Sequence, residues 1–400
     1  MGKVVLAYSG GLDTTVAIHW LKHRRNFRVS VLTVNLGYDR DIDVVGERAL
    51  SAGAETVHVV DVRRTFLKHY CWKALRAGAK YEEAYLLSCA LSRPLIATEL
   101  VKTAHNQGAN VVAHAAPPLG NDQFRLERCI TALDPRLRIL SPIREWNMKT
   151  RTEVLAYARL HNLEIDDRGR DPYTRDQNIW GTRASGGDLA DVSKEPEDDV
   201  WVWTKDPLDA PDEAELVTIH FLKGEPVRLN DDKLEPIELM EELNSIGARH
   251  GVGRVDLIED RLLGFKNREV YESPGATMLH AAHDALERLV LDHDSLKLKR
   301  YMGTVYAEQI YTGNWFSTIQ ESLAAFFKQT QEYVTGSVTL RLFKGSVSAI
   351  RGESEFSTYD RELATLRDEG GDLGQGGSDS MLAWARMQQL TRAFKQRPRL

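Results

Sequence analysis

Residues 4–15, VVLAYSGGLDTT, decide how this chain folds. Val4, Val5 and Leu6 form a short apolar run of the kind that makes a buried strand in a parallel sheet. Ser9-Gly10-Gly11 is a tight turn, after which Val16, Ala17, Ile18, Trp20 and Leu21 recur at helical spacing. Two glycines allow positive φ and a close approach of backbone to ligand. The helix that follows offers unpaired N–H groups and the positive end of its dipole, with the hydroxyls of Ser9, Thr14 and Thr15 nearby. The unit predicts an anion cradle, most simply for phosphate. It lacks the Gly-Lys-Ser/Thr of a Walker A loop and is not GxGxxG. A bare strand–Gly-Gly–helix connection is also an ordinary tight turn. It is the full string Ser-Gly-Gly-Leu-Asp-Thr-Thr after a first strand that points to a nucleotide.

Outward from this unit, the first 165 residues alternate strands with helices. Strands are expected at 29–34, 56–60, 110–114 and 139–142, and helices at 44–51, 94–105 and 152–160. Such alternation predicts an α/β fold with a doubly wound parallel sheet. Ligands of these sheets bind beyond the carboxyl ends of the strands, where both 9–13 and 115–125 fall. From about 168 to 211 Asp, Gly, Pro and Arg dominate and helical periodicity is absent, so a long loop-rich connection is expected. Beyond 213, alternating strands (217–222, 337–343) mix with helices (236–246, 276–291, 315–334), an α+β second domain. Residues 368–380 read as a linker, and 381–394 as an amphipathic C-terminal helix that packs on its own domain or on another subunit.

Composition narrows the function. The chain has 400 residues, 42% of them hydrophobic, enough for two domains with sizeable cores. Basic residues number 52 against 58 acidic, a net charge of −6, which argues against a bulk electrostatic hold on nucleic acid. Cys71, Cys89 and Cys129 are widely spaced, so neither a disulfide framework nor a zinc site is suggested. No apolar run is long enough to cross a bilayer, and the first strand begins too early to leave room for a signal peptide. A cytoplasmic enzyme of small molecules, with no nucleic-acid and no membrane partner, is the expectation.

The SGGLDTT loop resembles the SGGxD pyrophosphate loop of the PP-loop ATP pyrophosphatases, which adenylate a substrate and release pyrophosphate. Further strings follow in order: YLLSCALSRPLIA (85–97), GNDQFRLE (120–127), SPIREWNM (141–148), RDQNIWG (175–181), RHGVGRVDLIEDR (249–261), REVYESPGAT (268–277), YTGNWFS (311–317) and STYDRELAT (357–365). Together they resemble the argininosuccinate synthase family up to about residue 366. The resemblance implies a PP-loop ATP-binding domain over 1–166, a substrate-binding and multimerisation domain over 167–366, and a linker with a C-terminal helix over 367–400. It implies adenylation of citrulline's ureido oxygen by ATP with Mg2+, then displacement of AMP by the amine of aspartate, in a homotetramer.

Position by position, the resemblance implies that Ala7, Tyr8, Ser9, Gly10, Gly11, Leu12, Asp13, Thr14 and Thr15 bind ATP, with Val34, Ala115 and Gly120 also at the nucleotide. Tyr85, Asn121, Arg125, Thr174, Arg183, Glu259 and Tyr271 fall at citrulline positions, and Asn121 and Asp122 at aspartate positions. Asp13, Asp122 and Arg125 are the expected catalytic residues, and no metal ligand is assigned. Arg125 suits a carboxylate through its fork, and Glu259 an ammonium. Singly, each also has an ordinary role, a core aromatic for Tyr85 or Tyr271 and a surface ion pair for Arg125.

The match breaks in the loop 114–123 and at a few expected substrate positions. Where the family reads roughly His-Gly-x-Thr-Gly-Lys-Gly-Asn-Asp-Gln, this chain has His114-Ala115-Ala116-Pro117-Pro118-Leu119-Gly120-Asn121-Asp122-Gln123. Pro117 removes both a hydroxyl and an N–H, Pro118 fixes φ, and Leu119 removes a positive charge. Cys89, Ala90, Tyr38 and Arg183 also replace polar family residues, with serine expected at 183. Each lost partner costs roughly a few kcal/mol in a site built to hydrogen-bond its substrate. The chain therefore reads either as a drifted family member or as a paralogue with another carbonyl acid or amine. A tRNA-modifying PP-loop enzyme, an ammonia-using amidotransferase partner and an inactive nucleotide-binding scaffold remain as other classes.

Overall fold

The computed structural model describes residues 2–37, 42–165, 172–359 and 387–396. Its first sheet contains β1 (Lys3–Ala7), β2 (Arg28–Asn35), β3 (Thr56–Asp61), β4 (Val111–Ala113) and β5 (Arg138–Leu140). All neighbours pair in parallel, in the order β3-β2-β1-β4-β5. Parallel neighbours need long crossovers, which helices supply. These are α1 (Leu12–Arg25), α2 (Ile42–Ser51), a helical stretch α3 (63–77), α4 (Ser88–Gln107) and α5 (Asn121–Leu133). The chain builds outward from β1 to β3 and then crosses to β4, so the topological switch lies between β1 and β4. The expected doubly wound α/β sheet is the one found.

Period-2 alternation divides the core between the faces of this sheet. Val4 and Leu6 pack on one face with Val16, Ile18 and Leu21 of α1 and with Val154 and Ala158 of α6 (Arg151–Leu160). Val5 points to the other face, into a core that runs on through α4 to Trp180, Ile246 and Leu279 of the second half. Burying each such side chain contributes about 1.5–3 kcal/mol.

The second half contains two antiparallel sheets. One is built from β6 (Thr174–Asn178), β7 (Gly181–Ser185), β10 (Arg254–Asp260) and β11 (Lys266–Glu272), in the order β10-β11-β7-β6. The other uses β8 (Glu215–Leu222), β9 (Glu225–Leu229), β12 (Gly336–Phe343) and β13 (Ser346–Glu353), in the order β13-β12-β8-β9. Helices α7 (Pro236–Arg249), α8 (Pro274–Val290), α9 (His293–Tyr311) and α10 (Thr318–Thr330) complete it.

Two expectations are corrected. Residues 174–185, read as loop, form the β6–β7 hairpin. Their strings TRDQN and GTRAS lack alternating apolar residues because one face carries charged groups instead of core. The helix expected from residue 94 begins at Ser88, with Pro94 in its second turn. Its start is held by the Tyr85 hydroxyl, which accepts from the N–H groups of Cys89 at 3.0 Å and Ala90 at 3.4 Å.

Of the expected C-terminal helix, α11 (Met387–Gln396) is described and is seated on its own chain. The Gln396 amide donates to the carbonyls of Val290 (3.0 Å) and Phe356 (2.9 Å). Residues 381–386, the expected linker 368–380 and Tyr38 lie outside the described residues.

Candidate active site

β1 delivers Tyr8 and Ser9 into the turn. Gly10 has φ 75°, and a Cβ there would stand 3.1 Å from both methyls of Val45. Gly11 caps α1 in extended geometry with no side-chain capping bond, so the first N–H groups of the helix are not spent on a cap. Thr14 and Thr15 donate back to the Gly11 carbonyl at 3.1 and 2.9 Å, and Thr15 also bonds Tyr8 OH at 3.1 Å. Ser9 Oγ lies 3.2 Å from Thr14 Oγ1. Arg48 of α2 donates to the Gly10 carbonyl at 2.9 Å and brings a guanidinium beside the turn. Burial pushes the Asp13 carboxyl up, against the pull of Arg151.

A second helix start stands beside the first. β4 is followed by the turn 117–120, closed by the Gly120 N–H on the Pro117 carbonyl at 2.9 Å, with Pro117, Pro118 and Leu119 exposed. Gly120 then caps α5, again with no side-chain bond. Two uncapped helix starts thus follow adjacent strands at the switch point, the arrangement that suits an anionic ligand.

The first turns of α5 carry Asn121, Asp122 and Arg125 into a buried pocket. The pocket's opposite wall is one face of the β10-β11-β7-β6 sheet, where the register sets Asp176 against Arg183 and Arg183 against Tyr271. Two residues along on the same face are Thr174, Ser185 and Glu269, and beyond them Asn267 lies opposite Glu259. Two stacked tyrosine pairs close the pocket, Tyr85 on Tyr271 (centroids 4.0 Å apart) and Tyr81 on Tyr311 (3.5 Å).

Charged groups alternate along it. Asp122 accepts from Arg125 and from Arg93, each at 2.8 Å, and Arg93 also pairs with Asp176. Burial disfavours the Asp122 anion, yet Arg93 and Arg125 hold its carboxyl far below the usual range. Glu259 accepts from Tyr271 OH at 2.6 Å, Tyr311 OH at 2.8 Å and Arg261 at 3.3 Å. Arg261 pairs in turn with Glu269, and Arg183 Nε stands 3.4 Å from Glu269 Oε2. Burial pushes the Glu269 carboxyl up, with Arg183 and Arg261 opposing. The Cys89 thiol, buried and close to Asp176, is pushed up to about 12.

The sequence-predicted residues fall into two groups. Ala7 to Thr15 form the cradle, with Ala115 and Gly120 in the neighbouring loop and Val34 buried at the end of β2. Tyr85, Asn121, Asp122, Arg125, Arg183, Glu259 and Tyr271 meet in the pocket. Thr174 opens β6 on the same face but is exposed. Single-position reading missed Arg93, Asp176, Arg261, Glu269, Tyr81 and Tyr311. All except Tyr81 lie inside quoted strings, but nothing in one sequence marks which side chain of a polar strand points inward. Among the described residues no group of three or more His, Cys, Asp or Glu is placed to hold a metal ion. No described helix is long and apolar enough to cross a membrane.

Comparison with known proteins agrees with this architecture. Residues 3–164 match the arginosuccinate synthase N-terminal HUP domain, and residues 173–389 the arginosuccinate synthase C-terminal domain. The chain is 42% identical over 367 residues to the argininosuccinate synthase of Carboxydothermus hydrogenoformans, covering 92% of each. It is 44% identical over 368 residues to that of Thermoanaerobacter pseudethanolicus (92% of this chain, 90% of the relative), and 43% over 366 residues to that of Chlorobium limicola (92% of each). The chain belongs to the argininosuccinate synthase family.

Proposed function

We propose that this chain is an ATP-dependent carbon–nitrogen ligase that joins citrulline to aspartate, with release of AMP and pyrophosphate. One observation carries the reading. Helix α5 begins at the switch point beside the phosphate-type turn, and the same helix extends Asn121, Asp122 and Arg125 into the amino-acid pocket. Activation and substrate binding thus share one rigid element.

In the first step the ureido oxygen of citrulline attacks the α-phosphorus of ATP. A new O–P bond forms, the bond to the β-phosphate oxygen breaks, and pyrophosphate leaves. In the second the amine of aspartate attacks the ureido carbon, loses a proton, and AMP departs. A ureido carbon is a poor electrophile, so the chemistry relies on positioning and charge stabilisation rather than a protein nucleophile. The uncapped N–H groups after Gly11 hold the phosphates, while the Thr14 and Thr15 hydroxyls brace the turn by donating to the Gly11 carbonyl. Asp122, held anionic by its two arginines, serves as a fixed anion for the aspartate ammonium, since so weak a base abstracts protons poorly. Asp13 is the cradle's carboxylate that would hold Mg2+ arriving with ATP, and the ion would supply neutralisation of phosphate charge. Magnesium commonly needs only one or two protein carboxylates beside substrate phosphates, and Asp13 in the first turn of α1 offers one at the cradle. The assembly is a homotetramer of the cytoplasm, a reading that rests on the family likeness.

The test incubates the full chain with ATP, Mg2+, citrulline and a panel of amines that includes aspartate, and identifies products by mass. Argininosuccinate, AMP and pyrophosphate in equal amounts are expected. AMP formed only with another acid, or an adduct only with another amine, would overturn the assignment. Light scattering tests the assembly, and any mass other than four chains refutes the tetramer.

A further inference from the structure

The string SPIREWNM (141–148) follows β5. β5 pairs in parallel with β4, so this string emerges beside the loop 114–123, where the chain departs from its family. Arg144 reaches across to α5, pairing with Glu127 and donating to Gln123 Oε1 at 3.3 Å. With its oxygen held by a cation, the Gln123 amide turns its Nε2 to the Pro118 carbonyl, to which it donates.

His114 stands at the head of the loop and is 1% exposed. The Ala116 N–H donates to its Nδ1 at 3.2 Å. A backbone N–H can only donate, so Nδ1 is an acceptor and the neutral ring has its proton on Nε2. That nitrogen faces Glu127 Oε1 at 3.1 Å. The bond from His114, with Arg144 beside it, holds the Glu127 carboxyl below its usual range and keeps it an acceptor.

Side chains thus tie the loop at two points. Pro117 and Pro118 have no N–H, so Ala116 has the only backbone donor of residues 116–118, and His114 takes it. With the bond from Gly120 to Pro117, these ties fix the path from β4 to the uncapped start of α5. Pro117, Pro118 and Leu119 face solvent, where water would satisfy the same polar groups. What the ties add is a fixed position.

We propose that His114 and Gln123 are positioning residues for the reaction, holding the loop 115–120 where its ends meet the nucleotide and the amine. Arg144 orients Gln123 directly and His114 through Glu127. The proposal rests on the functional reading, in which Ala115 and Gly120 stand at the nucleotide and Asn121 and Asp122 at aspartate.

Two replacements separate the two ring nitrogens. Asparagine accepts from an N–H two residues on, as Asn35 does from Gly37 and Asn178 from Trp180, both at 2.9 Å. Glutamine reaches toward Glu127 instead and leaves Ala116 unheld. In kinetics of the full chain with each substrate varied in turn, His114→Gln should raise the KM for ATP and for aspartate about 5–20-fold. The citrulline KM should stay within twofold. His114→Asn should bring the ATP and aspartate values back to within threefold of wild type. Equal impairment in the two variants, a common rise for all three substrates, or no rise overturns the proposal. Should either His114 variant fail to fold, Gln123→Met, which keeps the length and removes the donor to Pro118, must show the same split between substrates. A uniform shift, or none, overturns it. If wild type forms no argininosuccinate, the functional reading falls separately, and amide hydrogen exchange judges the brace. The Ala116 N–H should then be protected in wild type and His114→Asn and exchange faster in His114→Gln or, failing that variant, in His114→Ala; equal protection refutes it.

Discussion

Gly10→Ala tests whether the opening turn is a phosphate cradle or only a connection. Position 10 sits at φ 75°, where an L side chain is strained by about 1–2 kcal/mol relative to glycine. The new Cβ would also stand 3.1 Å from both Cγ atoms of Val45, a core residue of α2, so one side must yield by a few tenths of an ångström. Overpacking of this kind adds about 1–2 kcal/mol. The Gly10 carbonyl is tied to Arg48, which limits escape in one direction and drives the strain into the Gly11 side of the turn. That displaces the N–H groups assigned to the phosphates, each charge-assisted bond being worth about 1.5–3 kcal/mol. The ATP KM should rise roughly 10–100-fold, with a fall of a few degrees in thermal midpoint. Adding Val45→Ala removes the steric contact and keeps the φ penalty, so the double variant should regain part of the ATP affinity. Citrulline-dependent pyrophosphate release across an ATP series reads the effect. An unchanged ATP KM in a destabilised Gly10→Ala protein refutes the reasoning, because the turn would then serve folding alone.

Other perturbations probe the pocket and its support. Tyr311→Phe removes the hydroxyl that joins Asn121 (2.8 Å) to Glu259, and should raise the citrulline KM about 30-fold with the ATP KM unmoved; an equal rise in both contradicts a local role. Glu272→Gln puts an amide where a buried carboxylate accepts from the N–H groups of Val202, Trp203 and Thr204 and from the Thr204 hydroxyl. About 2 kcal/mol of stability in urea unfolding should be lost, and a loss below 0.5 kcal/mol would show that the loop does not depend on it. His19 is held down to about 4 by burial and by His23 and His161, against 6.5 when unfolded. It binds fewer protons folded than unfolded, so its contribution to stability is complete above about pH 6.5 and is lost as pH falls toward 4. His19→Asn should flatten that acid limb by about 1 kcal/mol after solvent screening, and an unaltered limb in pH-dependent melting excludes His19 as its source.

The parts of the fold legible in sequence are those built by burial. β1, β2 and β4 are apolar because helices cover both faces of the sheet, and the Gly-Gly turn needs its φ, so both left clear marks. β6 and β7 left none, since Asp176 and Arg183 occupy the face where apolar alternation would have appeared. For the same reason the pocket was only half visible. Tyr85, Asn121 and Arg125 stood in matched strings with assigned roles, whereas Glu269 acquires meaning only when β11 pairs with β7 and brings it to Arg183.

The charge pattern explains why the substrate pocket is rigid. Arg93, Arg125, Arg183 and Arg261 are matched by Asp122, Asp176, Glu259 and Glu269, so the buried set is neutral without ligand. A citrulline zwitterion enters without changing that balance, so the full penalty of an uncompensated buried charge does not arise. Buried ion pairs are in general no more stabilising than apolar residues of similar volume, so stability is a weak reason for a set of this size. What the pairs supply is position: Arg93 and Arg261 each bridge two carboxylates, Arg125 and Arg183 each hold one, and two stacked tyrosine pairs pack beside them. Arg183 and Glu269, 3.4 Å apart, complete the set, so a ligand meets charged groups already held in place.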